Sequence, residues 1–277
     1  MKKNTRRKYL IPAVACLVVM AGFVYSYFFA SMAAGNETRY VYIDTDDTVD
    51  SVYTKLADVS SLNGMEGFKT LVRHSHYADN IRTGRYAITP GEGAFTVFRH
   101  MKNGLQSPVS LTVPSVRTLD RLAAELSKRL MVDSAAIYEA LSDEAICKKY
   151  GYDTATVAAL FIPNTYDIYW NVSVEKLLDR MKKENHNFWS GQREEKARAM
   201  KLTPVEVTTL ASIIDEETAN DGEKPMVAGM YYNRLMLRNA EYPDGMPLQA
   251  DPTIKFAWKR FDLKRIYNNL LYIKSPY

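Results

Sequence analysis

The stretch TPVEVTTLASIIDEET, residues 203–218, carries the signals of a complete helix. Thr203 can cap the first turn, Pro204 suits the first helical position, and Glu206 can reach back to complete a capping box. The residues that follow keep a helical spacing of apolar side chains. The stretch therefore predicts a helix that begins at a defined cap and runs to Thr218, with Gly222 just past its end.

The acidic residues Asp215, Glu216 and Glu217 point in different directions on a helix that turns about 100° per residue. Glu217 continues the predicted apolar face, Glu216 points nearly the opposite way, and Asp215 lies at the flank. The apolar face consists of Val207, Leu210, Ala211 and Ile214. An apolar surrounding favours the protonated form of a carboxyl, which a general acid needs. Exposure of all three acids is the commoner arrangement, and the apolar face is what favours Glu217 as an acid/base.

Two segments beyond this helix contribute polar side chains. A second helix is predicted from Val227, with Asn233 and Arg234 near the same groove. The loop GMPLQADPT, residues 245–253, contains two prolines and many hydrogen-bonding groups. Such a loop suits a surface that binds sugar hydroxyls and amides, and it suits a structural turn equally well.

Upstream, strand and helix patterns predict an α+β fold. Between residues 36 and 115, short strands alternate with short helices, which predicts a small mixed module. From residue 116 onward, helices dominate and short strands are few. The strands are predicted at 38–44, 82–88, 109–113 and 166–170, and the helices near 49–59, 68–72, 95–101, 118–150 and 174–188.

The N-terminus combines a basic cluster with a long apolar run. Residues 9–35 contain no charged residue and exceed the roughly 20 apolar residues that cross a bilayer. The positive-inside rule keeps the basic cluster in the cytoplasm and places the chain from about residue 36 outside. A cleaved signal peptide is the alternative, because Ser31, Met32 and Ala33 resemble a cleavage site. Signal peptides have shorter apolar regions, roughly 7–15 residues, so residues 1–35 are interpreted as a tail and an uncleaved anchor.

Charge and cysteine content exclude other classes of protein. The net charge is +4, from 36 basic and 32 acidic residues. Five of the basic residues precede the apolar run, and without them 31 basic residues face 32 acidic ones. A nucleic-acid-binding domain would carry its positive charge on the folded part. The isolated Cys16 and Cys147 show no metal-ligand spacing, so we expect neither a metal nor a cofactor.

Four stretches resemble motifs of the endolytic murein transglycosylase family, the YceG-like proteins. They are FIPNTY at 161–166, LASIIDEET at 210–218, VAGMYYNRL at 227–235 and MPLQADPT at 246–253. The resemblance implies a membrane anchor, a LysM-like peptidoglycan-binding module at 36–115 and a catalytic domain at 116–277. It also implies that Glu217 is the catalytic acid/base, whereas Asp215 replaces the first acid of the family pattern. Similar proteins continue past Tyr277, so we expect the catalytic domain to lack its C-terminal part.

The function implied is non-hydrolytic cleavage of the bond between N-acetylmuramic acid and N-acetylglucosamine, leaving 1,6-anhydro ends. The implied partners are peptidoglycan strands and peptidoglycan synthases, and the implied location is the cytoplasmic membrane, with the catalytic domain outside. A non-catalytic peptidoglycan-binding scaffold is the alternative. The candidate substrate-binding residues are Asn164, Tyr166, Asn233, Gln249, Asp251 and Tyr277.

Overall fold

The computed structural model describes residues 2–275 and confirms a mixed α+β protein that is mostly helical with short strands. The strands are β1 (Arg39–Ile43), β2 (Gly84–Ile88), β3 (Val109–Val113) and β4 (Asn164–Ile168). The helices are α1 (Lys2–Phe28), α2 (Val49–Ala57), α3 (Leu62–Arg73), α4 (Ala94–Asn103), α5 (Leu119–Ser127), α6 (Ser134–Ser142), α7 (Glu144–Lys149), α8 (Val174–Trp189), α9 (Gln192–Ala199), α10 (Pro204–Glu217), α11 (Lys224–Met236) and α12 (Asp251–Trp258).

The chain forms two compact units. Unit 1 comprises residues 2–112, 124–136 and 164–174, and unit 2 comprises residues 113–123, 137–163 and 175–275. Two-stranded sheets join β1 to β2 and β3 to β4. The predicted boundary near residue 115 between a module and a catalytic domain stays a prediction.

Unit 1 is built around the order β1-α2-α3-β2. The two strands pair antiparallel, with Arg39 opposite Ile88 and Ile43 opposite Gly84. Their inward residues alternate along each strand, as expected for a sheet covered on one face. They pack with α2, α3 and α4 in one apolar core. Its fully buried members include Met32, Ile43, Val52, Leu56, Phe68, Ile88, Ala94 and Met101.

The apolar run at the N-terminus is divided between two environments. Helix α1 ends at Phe28, and its Leu10–Phe28 part is long and apolar enough to cross a membrane. Met32 is fully buried in the core of unit 1. Its N–H donates to the Glu92 carbonyl at 2.8 Å, and its carbonyl accepts from the Ser61 N–H at 2.7 Å. Residues 29–35 of the predicted anchor therefore leave the helix and are held by the folded unit.

In unit 2, α10 and α11 share a second core with the segments that precede α10 and α12. Leu202, Leu210, Ile214, Tyr231 and Ala250 form its buried part. The segment predicted as a loop through Thr253 is a loop only to Ala250, because α12 begins at Asp251 with a proline in its first turn. This position suits proline, which has no N–H to contribute to the first turn.

Candidate active site

Helix α10 begins as its sequence predicts, and this start fixes which side chains it presents at its end. The Thr203 hydroxyl accepts from the Glu206 N–H at 3.2 Å, and the Glu206 carboxylate accepts from the Thr203 N–H at 2.7 Å. This is a complete capping box, and it satisfies two N–H groups that the first turn leaves without intrahelical partners.

Two of the three acids at the end of α10 are paired with cations. Asp215 accepts from Lys224 Nζ at 2.8 Å and from the Ser115 hydroxyl at 3.3 Å. The hydrogen bond from Lys224 lowers the pKa of Asp215 below its usual range. Glu216 accepts from Arg117 Nε at 2.7 Å, and this contact raises the pKa of Arg117. Asp215 is therefore held in its ionised form, and Glu216 is paired with a guanidinium.

Glu217 differs from its neighbours in its partner. Its Oε1 accepts a hydrogen bond of 2.6 Å from the Tyr231 hydroxyl. Tyr231 is only 3% exposed, and burial, followed by the hydrogen bond to Glu217, raises its pKa. Within residues 2–275, no ion pair involves Glu217. Of the three acids that end α10, it is therefore the one that no described cation holds.

The expected shielding of Glu217 by an apolar face is not found. Glu217 and Ala211 are exposed, whereas Leu210 and Ile214 are buried. Glu217 is the last residue of α10, and the extended backbone of Thr218 ends the helix there. The apolar face therefore stops one turn before the carboxyl, and Tyr231 supplies its buried contact.

The segment before α12 is held against α11 by one arginine. Arg234 Nη1 donates to the Leu248 carbonyl at 2.5 Å, and the Arg234 carbonyl accepts from the Met246 N–H at 3.0 Å. Leu248 and Ala250 pack into the core around Tyr231. Between them, Gln249 has a left-handed φ of 54° and an exposed side chain.

Unit 2 brings three candidate groups together. Asp251 begins α12, and its negative charge contributes to the raised pKa of Tyr231, after burial and the contact with Glu217. Glu217 and Asp251 thus both act on Tyr231, and Gln249 lies two residues before Asp251. Asn233 is exposed on α11.

Three further candidates, Asn164, Tyr166 and Tyr277, do not belong to the described part of unit 2. Asn164 and Tyr166 belong to β4 in unit 1. Asn164 is exposed, but Tyr166 is 6% exposed, because it shares the inward positions of β4 with Ile168. Its ring is therefore not open to a substrate in this structure. Tyr277 lies outside the described residues.

The described residues contain no group of three or more His, Cys, Asp or Glu side chains that could hold a metal ion. Cys16 lies exposed on α1, and Cys147 is buried. The side chains that meet at the end of α10 are a carboxyl and a phenol, groups that can exchange protons.

Comparison with known proteins identifies the family. The model of the YceG-like family matches residues 41–277. This chain belongs to the YceG-like family. A Bacillus subtilis protein named endolytic murein transglycosylase is 23% identical over 85% of this chain and 67% of its own length. A Streptococcus pneumoniae D39 protein of the same name is 25% identical over 69% of this chain and 38% of its own length. The chain thus spans about two thirds of one relative and 38% of the other.

A solved structure supports the YceG-like fold. The crystal structure of a YceG-like protein from Listeria monocytogenes has a TM-score of 0.50 and 21% identity, and the match covers 87% of this chain and 82% of that one. At this identity the likeness concerns the fold alone. In this chain the YceG-like motifs at 210–218 and 227–235 fall on α10 and α11, and 246–253 leads into α12.

Sequence reasoning missed the contact between Tyr231 and Glu217. Tyr231 packs inward from α11. A buried tyrosine hydroxyl needs a hydrogen-bond partner, and this requirement was the signal that could have linked it to an acid. No comparable feature of the sequence indicated the ion pairs of Asp215 and Glu216.

Proposed function

We propose that this YceG-like chain is an endolytic murein transglycosylase with Glu217 as its acid/base. The relatives that carry this name support the reaction, and one observation supports the residue. Of the three acids that end α10, Glu217 is the one bound by a neutral hydroxyl rather than by a cation.

In the proposed reaction, the protonated Glu217 carboxyl donates its proton to the glycosidic oxygen between N-acetylmuramic acid and N-acetylglucosamine. The bond to the muramic anomeric carbon breaks, and the leaving sugar keeps the proton. The carboxylate then accepts the proton of the muramic C6 hydroxyl, whose oxygen attacks the same anomeric carbon. One carboxyl suffices, because the nucleophile belongs to the substrate, whereas most glycoside hydrolases use two carboxyls.

The products test the proposal directly. The chain is reconstituted in vesicles and incubated with isolated glycan strands, and the new ends are identified by mass spectrometry. We expect 1,6-anhydro-muramic ends on internal fragments. Ordinary reducing ends would identify a hydrolase instead. Absence of cleavage would favour the non-catalytic scaffold.

The Tyr231 hydroxyl should position the Glu217 carboxyl. We expect Tyr231→Phe to lower kcat about 10- to 100-fold, the value of one hydrogen bond to a charged group, with little change in KM. Tyr232→Phe is the matched control, because that neighbouring hydroxyl donates to the Met200 carbonyl at 3.1 Å. Cleavage kinetics and thermal unfolding are measured on both variants. Equal losses of kcat in the two would contradict a positioning role.

We also propose that α1 anchors the protein in the cytoplasmic membrane, with the basic tail inside and both units outside. The length and composition of Leu10–Phe28 support the span, and the five basic residues before residue 9 support this orientation. Because Met32 is part of the core, removal of α1 by cleavage after Ala33 would also remove a core side chain. Peptidoglycan synthases are proposed partners at this location.

We propose in addition that the β1-α2-α3-β2 part of unit 1 is the LysM-like module and that it binds glycan through an aromatic shelf. The shelf consists of Tyr40, Tyr42, Arg85 and Trp170. The Arg85 guanidinium lies 3.4 Å from the centre of the Tyr40 ring, and Tyr42 contacts Trp170 edge to face at 5.1 Å. Tyr40 and Tyr42 are exposed. Rigid rings with polar edges can contact the apolar face and the hydroxyls of a sugar together.

Tyr42→Ala should weaken binding to purified sacculi about tenfold, because losing one aromatic anchor commonly costs more than 1 kcal/mol. Tyr138→Ala is the matched control, since Tyr138 is a similarly exposed tyrosine in unit 2. Binding is measured by co-sedimentation over a range of sacculus concentrations. If both variants bind like the unaltered chain, the shelf is not the glycan site.

A further inference from the structure

An apolar collar surrounds the end of α1 in unit 1. Its members are Phe29, Leu62 and Phe95, with exposed fractions of 52%, 87% and 43%. Phe29 follows α1, Leu62 begins α3, and Phe95 lies in the first turn of α4. The rings of Phe29 and Phe95 contact each other, with centroids 6.1 Å apart. These side chains come from three separate parts of the sequence and are open to solvent in the same region.

Contacts place this collar at the level of the last turn of α1. Asn63 Nδ2 donates to the Ser26 hydroxyl at 3.0 Å. Leu62 lines a shallow depression together with Ser26 and Ala30. The 19 residues of Leu10–Phe28 rise about 28 Å, close to the ~30 Å of a hydrocarbon core. If they span the bilayer, the start of α3 lies at the boundary between acyl chains and headgroups.

Three glycines let α3 and the start of α4 approach the end of α1 and the segment that follows it. A Cβ at Gly67 would lie 1.9 Å from the Tyr27 carbonyl oxygen, and a Cβ at Gly93 would lie 2.4 Å from the Phe28 carbonyl oxygen. A Cβ at Gly64 would lie 2.8 Å from the Met32 Cα. The atoms met are backbone atoms, so these contacts depend on glycine. Because Met32 is also buried in the core of unit 1, the chain after α1 is not a free linker.

We propose that the collar is a membrane-docking surface that inserts into the interface of the bilayer crossed by α1. The proposal rests on the anchor proposed above. Lipid is the occupant that the geometry favours, because the collar is continuous with the lipid-facing surface of α1 and lies at its outer boundary. Aromatic and leucine side chains are typical of surfaces that enter this interface. Docking would hold unit 1 flat on the membrane, at one fixed height.

Depth-dependent fluorescence quenching tests the docking. The full chain is reconstituted in vesicles that carry nitroxide-labelled lipids, with the nitroxide either near the headgroup or near the bilayer centre. Single fluorophores are attached at Leu62→Cys, Phe95→Cys or Leu105→Cys in a Cys16→Ala background, and at the native Cys16. Cys147 is fully buried and is retained, and the background chain measures its labelling.

We expect the fluorophores at Leu62 and Phe95 to lose most of their emission to the headgroup-level nitroxide. Leu105 is the matched control: it is an exposed leucine just past the far end of α4, about 15 Å along the helix from Phe95, and it should stay bright. Cys16 should be quenched by the central nitroxide. Quenching at Leu62 and Phe95 no stronger than at Leu105, with Cys16 quenched, would overturn the docking surface and leave the anchor intact. An unquenched Cys16 would overturn the anchor as well.

Discussion

Replacing Glu217 with glutamine should lower the formation of anhydro ends about 10²- to 10⁴-fold, the range expected when a general acid–base is lost. Glutamine retains the size of the side chain, and its amide oxygen can still accept from Tyr231. It has no carboxyl proton for the glycosidic oxygen and cannot accept the C6 hydroxyl proton. The rate of anhydro-end formation, measured by mass spectrometry over time, reports this loss.

The neighbouring acids are matched controls for Glu217→Gln. Glu216→Gln and Asp215→Asn each remove one exposed ion pair, with Arg117 and Lys224 respectively. Such exposed pairs contribute about 0–1 kcal/mol to the free energy of unfolding. Both variants should therefore keep cleavage rates within about tenfold of the unaltered chain. Sacculus binding should persist in Glu217→Gln. An equal loss of cleavage in all three variants would assign the chemistry to no single acid.

The start of α10 was predictable because every signal that sets it is local. Thr203, Pro204 and Glu206 lie within one turn, and the capping box needs only the side chains and backbone N–H groups of Thr203 and Glu206. The same holds for the short strands, whose alternation follows from one covered face. Patterns within a few residues therefore predicted most of the elements of both units.

The environment at the end of α10 was not predictable, because it depends on contacts distant in sequence. The Ser115–Asp215 and Arg117–Glu216 hydrogen bonds join residues 100 and 99 positions apart. Periodicity placed Glu217 on an apolar face but could not show that the chain leaves the helix directly after it. The predicted helix was confirmed, and the predicted shielding of Glu217 was wrong.

The end of α1 shows the same limit. Hydropathy treats residues 9–35 as one run, because the apolar side chains that enter lipid and those that enter a protein core have the same composition. Met32 belongs to the second group, and only the backbone bonds to Glu92 and Ser61 reveal it. The close approach of this backbone segment also explains the glycines at 64, 67 and 93, which no local sequence pattern predicts.

Gly67→Ala should loosen the packing of α3 against the end of α1. Its Cβ would lie 1.9 Å from the Tyr27 carbonyl oxygen, and no side-chain rotation relieves a clash with a backbone atom. Overpacking costs about 1–3 kcal/mol, which corresponds to an increase of roughly 5- to 150-fold in local opening. Hydrogen-exchange mass spectrometry of the full chain in vesicles should show faster exchange in peptides that cover residues 26–34 and 61–73.

Gly229→Ala makes the same chemical change, but we expect it to slow hydrogen exchange rather than speed it. Gly229 also lies inside a helix, α11, and nothing lies within 4 Å of the position of its Cβ. Alanine there should slow exchange in α11, because it is favoured over glycine by about 1 kcal/mol inside a helix. The two variants differ in what the new methyl group meets, so opposite changes would trace the Gly67 effect to its contact with Tyr27. If Gly67→Ala also slowed exchange, α1 would not be held against α3 as the structure has it, and the fixed height of the collar would lose its support.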